Sequence, residues 1–201
     1  MGGVDPRLSL LGPVVQVAPA LLGAVLSHAG VSVRITEVEA YEGETDPGSH
    51  AFRGRTPRTE VMFGPPGRAY VYFTYGMHWC LNVVTSPDGT ASAVLLRAGE
   101  VVAGLQQARA RRPGATDRDL CRGPARLTRA LAVDGACGGL DLLDPASPLR
   151  LDLPAPPGGP VRSGPRVGVA GAGAPTPWRY WLDGEASVSA YRPAAPRRPP
   201  R

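Results

Sequence analysis

The sequence predicts an α+β fold, a single mixed domain in which strands carry the frame and short helices flank it. Three observations lead there. Several stretches alternate apolar and polar side chains at the period of a β-strand. Two of them, 69–75 and 79–85, are parted only by a turn at Gly76, the mark of an antiparallel hairpin. Helical spacing occurs only in brief pieces bounded by proline or glycine. A chain of 201 residues suffices for one well-buried domain and is short for two, and it contains no internal repeat. The domain is expected at residues 13–190, after a flexible lead-in, 1–12, and before a Pro/Arg-rich tail, 191–201, whose composition favours disorder.

Taken in order, the first helix is expected from Val14 to Leu22. Pro19 fits it only in the first turn, where backbone N–H groups have no partner within the helix. Residues 31–41 alternate as a strand with Val31, Val33 and Ile35 on one face. The same parity carries Glu37, Glu39 and Tyr41 onto that inward side. A carboxylate on an apolar face costs free energy unless it is paired or used. From Glu42 to Arg68 the chain is rich in turn formers, among them Pro47, Gly48, Gly54, Pro57 and the run Gly64–Gly67, and reads as a long binding loop. The segment 69–75 sets Tyr70 and Tyr72 on one side and Val71, Phe73 and Tyr75 on the other, leaving Tyr75 at the hairpin tip. Ala91–Arg97 reads as a mostly buried strand. Val101, Val102, Leu105 and Ala108 keep helical spacing before Pro113, and another helix is expected from Pro124 through Leu131. Residues 144–165 read as an irregular Pro/Gly-rich connection, followed by strands at Arg166–Ala170 and Trp178–Leu182.

Composition narrows the function. A mean hydropathy of −0.10 is that of a soluble globular protein. No apolar run reaches the length of a membrane span and the N-terminus lacks a signal-peptide pattern, so a cytoplasmic protein is expected. Cys80, Cys121 and Cys137 are odd in number and unpaired in spacing, and His28, His50 and His78 show no metal-ligand spacing, so neither a disulfide framework nor a metal centre is expected. All 22 basic residues are arginine, against 17 acidic ones. Compositional bias accounts for arginine replacing lysine; it does not account for the positive sign, which suits a phosphate-rich partner.

The aromatic residues are the most telling. Eight of the twelve fall between Tyr41 and Trp79, directly after Glu39. A core of ordinary kind distributes its large rings across the fold. Flat rings gathered beside a carboxylate in a basic protein point to a pocket for a planar, nucleobase-like group.

The segments Glu37-Val-Glu-Ala-Tyr41, Asp46-Pro-Gly-Ser-His50, Arg55-Thr-Pro-Arg58, Met62-Phe-Gly-Pro-Pro-Gly67 and Tyr70-Val-Tyr-Phe-Thr-Tyr-Gly-Met77 closely resemble the alkyladenine (3-methyladenine) DNA glycosylase family. So do Val94-Leu-Leu-Arg97, Leu120-Cys-Arg-Gly-Pro124 and Pro165-Arg-Val-Gly-Val169, in order along the chain. The resemblance implies a curved, mainly antiparallel sheet with flanking helices. It implies a monomer that binds double-stranded DNA near the nucleoid, flips out a damaged purine and hydrolyses its N-glycosidic bond. It implies no metal and no organic cofactor. Carried over residue by residue, Glu39 matches the general base that activates water, Arg97 a residue holding that water and a nearby phosphate, and the Val167 carbonyl the water's third ligand. Tyr41, His50 and Tyr72 match the walls of the base pocket. Asn82 matches a floor residue that excludes guanine, and Tyr75 the residue that fills the gap left by the flipped nucleotide.

Taken without the resemblance, Glu39 could equally be a buried ion-pair partner of an arginine, the tyrosines plain core residues, and Arg97 a solvated charge. The alternative function is a non-catalytic binder of distorted or single-stranded nucleic acid, which would need no carboxylate in the pocket. The absence of lysine argues against a Schiff-base lyase step and for a monofunctional hydrolase.

Overall fold

The computed structural model describes residues 5–153 and 159–194. Strand β1, Val25–His28, turns through Ala29 and Gly30, both at positive φ (46° and 79°), into the eleven-residue strand β2, Val31–Tyr41. A two-residue turn of that kind matches the right-handed twist of the strands it joins. Then come β3, Ala69–Thr74; β4, His78–Val84; β5, Ala93–Ala103; β6, Leu149–Asp152; β7, Val161–Gly164; and β8, Arg179–Leu182. The spatial order is β3-β4-β5-β2-β1-β6, every pairing antiparallel, with β8 joined to β2 and β7 to β8. One edge of β2 is therefore shared: β1 pairs with Val31–Arg34 and β8 with Glu37–Glu39. The result is the single α+β domain around a curled antiparallel sheet that the sequence predicts.

Three short helices, α1 (Val14–Ala20), α2 (Leu105–Arg111) and α3 (Pro124–Leu131), cover one face. The main core lies between them and the sheet. Val17, Ala108, Leu127 and Leu131 meet Val33, Ile35, Leu81, Val83, Val94 and Leu96 there. Strand alternation then hands the opposite face to Tyr70 and Tyr72 of β3, Cys80 and Asn82 of β4, and Leu95 and Arg97 of β5.

The parity expected for β2 is corrected by a bulge. The β2–β5 register steps from Ile35↔Gly99 to Glu37↔Ala98 to Val38↔Leu96, passing over Thr36 and then Arg97. Beyond it Val38 and Ala40 join the core, so Glu37 and Glu39 lie on the face opposite Val33 and Ile35. An extra residue re-aims every side chain after it, and here it turns two carboxylates away from the hydrocarbon.

Other expectations also change. Pro19 lies near the C-terminal end of α1 and not in its first turn; in a helix of seven residues it removes a single interior bond, and α1 ends one residue later. Val101 and Val102 belong to β5: Val101 pairs with Val33 and Ala103 with Ser32, the register passing over Val102, and β-branched side chains favour the extended backbone. Gly104, at φ 74°, then starts α2 where a Cβ would collide with the Gly30 carbonyl. The lead-in is packed from Pro6: residues Pro6–Leu10 form a 3-10 turn, and Leu10 is fully buried in the core. Residues 144–165, read as irregular, supply β6 and β7. Arg166–Ala170, read as a strand, is a turn instead, with Gly168 at φ 73°. The expected disorder of the tail concerns mainly 195–201, which lie outside the described residues. Among the described residues no helix is long and apolar enough to cross a membrane.

Candidate active site

A cavity of ≈ 460 Å³ opens on the face of the sheet opposite the main core and reaches the start of α3 at Pro124 and Ala125, within the range that small-molecule pockets occupy. Glu39, Tyr41, His50, Tyr72, Tyr75, Asn82, Arg97 and Val167 all line it. The sheet supplies Glu39, Tyr41, Tyr72, Asn82 and Arg97; the 42–68 loop supplies His50; the Gly76 hairpin supplies Tyr75; the 166–170 turn supplies Val167.

Glu39 is fully buried. One carboxylate oxygen, Oε1, accepts the Val167 N–H at 2.6 Å; Oε2 accepts the Tyr41 hydroxyl at 2.8 Å and Arg97 Nη1 at 3.2 Å. A carboxylate offers about four lone-pair directions, so these three donors leave room for about one more, a water for example. The pairing with Arg97 and the place in the pocket belong to the same carboxylate. The catalytic and ion-pair readings of Glu39 are therefore compatible.

Arg97 is buried rather than solvated. Burial works against its charge, but Glu39 and Glu37 more than offset this and hold its guanidinium above the ordinary pKa. Burial, and then the Glu39 charge, push the Tyr41 phenol well up, so Tyr41 stays a proton donor to the carboxylate. For Val167 the contact with Glu39 is made by the N–H.

His50 stands edge-on to Tyr72, with ring centroids 4.5 Å apart and an interplanar angle of 82°. Burial, and then the charge of Arg58, lower its pKa to about 4. The Arg58 guanidinium can only donate and lies 3.4 Å from Nε2, so Nδ1 carries the proton toward the Tyr70 hydroxyl at 3.0 Å. The ring is thus neutral near pH 7. Asn82, nearly fully buried, donates Nδ2 to the Tyr70 carbonyl at 3.0 Å, which prevents its amide from swinging aside. Tyr75 is 82% exposed at φ 51°, a left-handed conformation that a bulky residue rarely adopts.

Two further residues of the site went unrecognised in the sequence. Arg166, fully buried, grips both oxygens of Asp46, with Nη2–Oδ1 at 2.7 Å, and donates to the Ala40 carbonyl at 2.9 Å. Its guanidinium lies 4.7 Å from the Tyr41 ring centre and 5.2 Å from that of Trp178, and a Cβ on Gly48 would collide with it. Glu37, also fully buried, accepts from Arg97 Nε at 3.0 Å and Arg179 Nε at 2.6 Å. Both belong to motifs quoted above, but no local spacing rule joins residues so far apart in the chain. Among the described residues no group of three or more His, Cys, Asp or Glu could hold a metal ion. Cys80, Cys121 and Cys137 are buried and free.

A family model described as methylpurine-DNA glycosylase matches residues 9–186. Three relatives each carry the name "Putative 3-methyladenine DNA glycosylase". One from Frankia casuarinae is 59% identical over 198 residues, covering 93% of this chain and 92% of its own. One from Streptomyces avermitilis is 55% identical over 194 residues, covering 92% and 91%. One from Burkholderia lata is 50% identical over 192 residues, covering 94% and 92%. A family match across most of the chain, identities of this size and a pocket of rings around a buried carboxylate agree: the chain belongs to the methylpurine-DNA glycosylase family and is a DNA glycosylase of base excision repair.

Proposed function

We propose that this glycosylase is a monofunctional hydrolase acting on alkylated or deaminated purines in duplex DNA, as a monomer in the nucleoid-bearing cytoplasm. The observation that carries the reading is the Glu39 carboxylate, held by three donors in an aromatic-lined cavity. Glu39 takes the proton of a water that attacks C1′, and its charge favours the positive sugar that forms as the base departs. Arg97 and the Val167 carbonyl help hold that water. Tyr41, His50 and Tyr72 enclose the flipped base. A neutral His50 places no positive charge against purines that alkylation has made cationic.

Tyr75 fills the gap in the duplex. A ring that is 82% exposed adds little to folding, so Tyr75→Ala is expected to weaken binding to abasic-site DNA while leaving the melting temperature nearly unchanged. A large fall in melting temperature with unaltered affinity would make it a core residue instead. Asn82, its amide fixed by the Tyr70 carbonyl, blocks the exocyclic amino group of guanine. Asn82→Ser is expected to raise release of undamaged guanine; release no greater than the parent's would place the block elsewhere.

The test of the whole reading is excision from duplexes each carrying 3-methyladenine, 7-methylguanine, hypoxanthine or ethenoadenine. Free base and an intact abasic strand are expected, with cleavage only after alkali or heat. The chain has no lysine to form a Schiff base, so borohydride added during turnover is expected to trap no protein–DNA adduct. A trapped adduct with matching strand nicking overturns the monofunctional assignment.

A further inference from the structure

Past the family-matched residues 9–186, the chain continues as an irregular strap, Ser187–Arg192, anchored by hydrogen bonds at Ser187, Val188, Ser189 and Arg192. Ser187 Oγ meets Thr36 Oγ1 at 2.8 Å, at the β2 bulge, and the Val188 carbonyl accepts from Arg122 at 2.8 Å. Ser189 is the centre. Its N–H donates to Glu37 Oε2 at 2.7 Å and its hydroxyl to Glu37 Oε1 at 2.9 Å, while its carbonyl accepts from Arg179 at 2.7 Å. The Arg192 carbonyl accepts the N–H of Gly168 at 3.2 Å.

Both oxygens of Glu39 are thus approached by groups that the strap holds. Arg97 reaches Oε2 with one nitrogen while its Nε rests on Glu37 Oε1, the oxygen that Ser189 and Arg179 also contact. Val167 reaches Oε1 from a turn whose next residue is tied to Arg192. Glu37, Glu39, Arg97 and Arg179 form a buried set of balanced charge. Within it Arg97 is shared by two carboxylates and could lean toward either; the donors on Glu37 decide which nitrogen faces which acid.

We propose that Glu37 and the strap Ser187–Arg192 form a positioning element for hydrolysis, fixing Arg97 and the Val167–Gly168 turn against the Glu39 carboxylate. The inference rests on the assignment of Glu39 as general base.

Ser189→Ala, Ser189→Thr, Glu37→Gln and Glu39→Gln are compared in single-turnover excision. The substrate is a duplex carrying hypoxanthine or 7-methylguanine, whichever the parent excises faster. Affinity for abasic-site DNA and melting temperature are measured alongside. Misplacing a catalytic group by a fraction of an ångström to an ångström slows chemistry by about 10–10²-fold. Ser189→Ala is expected to slow excision by that order with affinity and melting temperature near parental, Ser189→Thr to restore the rate, and Glu37→Gln to slow it further. A parental rate in Ser189→Ala overturns the proposal, as does a parental rate in Glu37→Gln or a loss in Ser189→Ala that Ser189→Thr fails to restore. If Glu37→Gln does not fold, the Ser189 pair decides alone. A near-parental Glu39→Gln removes the general base itself, and the strap with it; an inactive Glu39→Gln beside a parental Ser189→Ala removes only the strap.

Discussion

Glu39→Gln is expected to lose base excision by about 10²–10⁴-fold while still folding and binding abasic-site DNA. Glutamine keeps the length and shape of the side chain but removes the charge and the capacity to take a proton from water. Its carbonyl oxygen can still accept from Tyr41 and Arg97, the two donors now on Oε2. Its amide nitrogen must face the Val167 N–H, a mismatch at one contact. Arg97 does not become an unpaired buried cation, because Glu37 remains 3.0 Å from its Nε. The buried set of Glu37, Glu39, Arg97 and Arg179 is left with one net positive charge, but both arginines keep Glu37 as a partner, so the fold is expected to persist while the chemistry is lost. Single-turnover excision, with a melting curve and a DNA-binding isotherm on the same variant, checks this. Excision close to the parent's rate would falsify the assignment.

Asp46→Ala is expected to be the most damaging change for stability. Asp46 is the anion of Arg166, and both are almost completely removed from solvent. Truncating it leaves a guanidinium buried with carbonyl oxygens and the Tyr41 and Trp178 rings as company. Removing one member of a buried ion pair costs about 3–5 kcal/mol, a large share of the ~5–15 kcal/mol that holds a domain together. Urea unfolding measures it, and a loss below about 1 kcal/mol would show that the site relaxes to let water reach Arg166. The surviving folded protein is also expected to bind the base less well, since Tyr41 loses its fixed support.

The features read most directly from the sequence are those decided within a few residues. The Gly76 hairpin and the exposed Tyr75 follow from two alternating runs around one glycine, and α3 begins at Pro124, where proline's fixed φ suits a first turn. The facing of Glu37 and Glu39 was not legible, because the bulge at Thr36 exists only through pairing with β5, whose residues come some sixty positions later. Arg166–Ala170 alternates like a strand, yet its N–H groups go to Glu39 and to Arg192 rather than to a ladder. The short strands β1, β6 and β7 are hidden for a related reason: at four residues each, they are extended by their neighbours more than by their own composition. The aromatic cluster foretold a pocket, and the motifs identified its walls, but the buried arginine behind Tyr41 emerged only once distant segments were brought together.

The forked edge of β2 has a dynamic consequence. With β5 along one side and β1 and then β8 along the other, the backbone around Glu37–Glu39 has few ways to open short of unfolding the whole sheet. Among the described residues, the hairpin bearing Tyr75 pairs with another strand only through β4, at Asn82–Val84, and its tip ends in solvent. Amide hydrogens should therefore exchange slowest beside the Glu39 carboxylate and fastest at the Tyr75 tip. In the function we propose, the same sheet sets the chemistry on its stiffest member and leaves insertion into the duplex to its most pliable one.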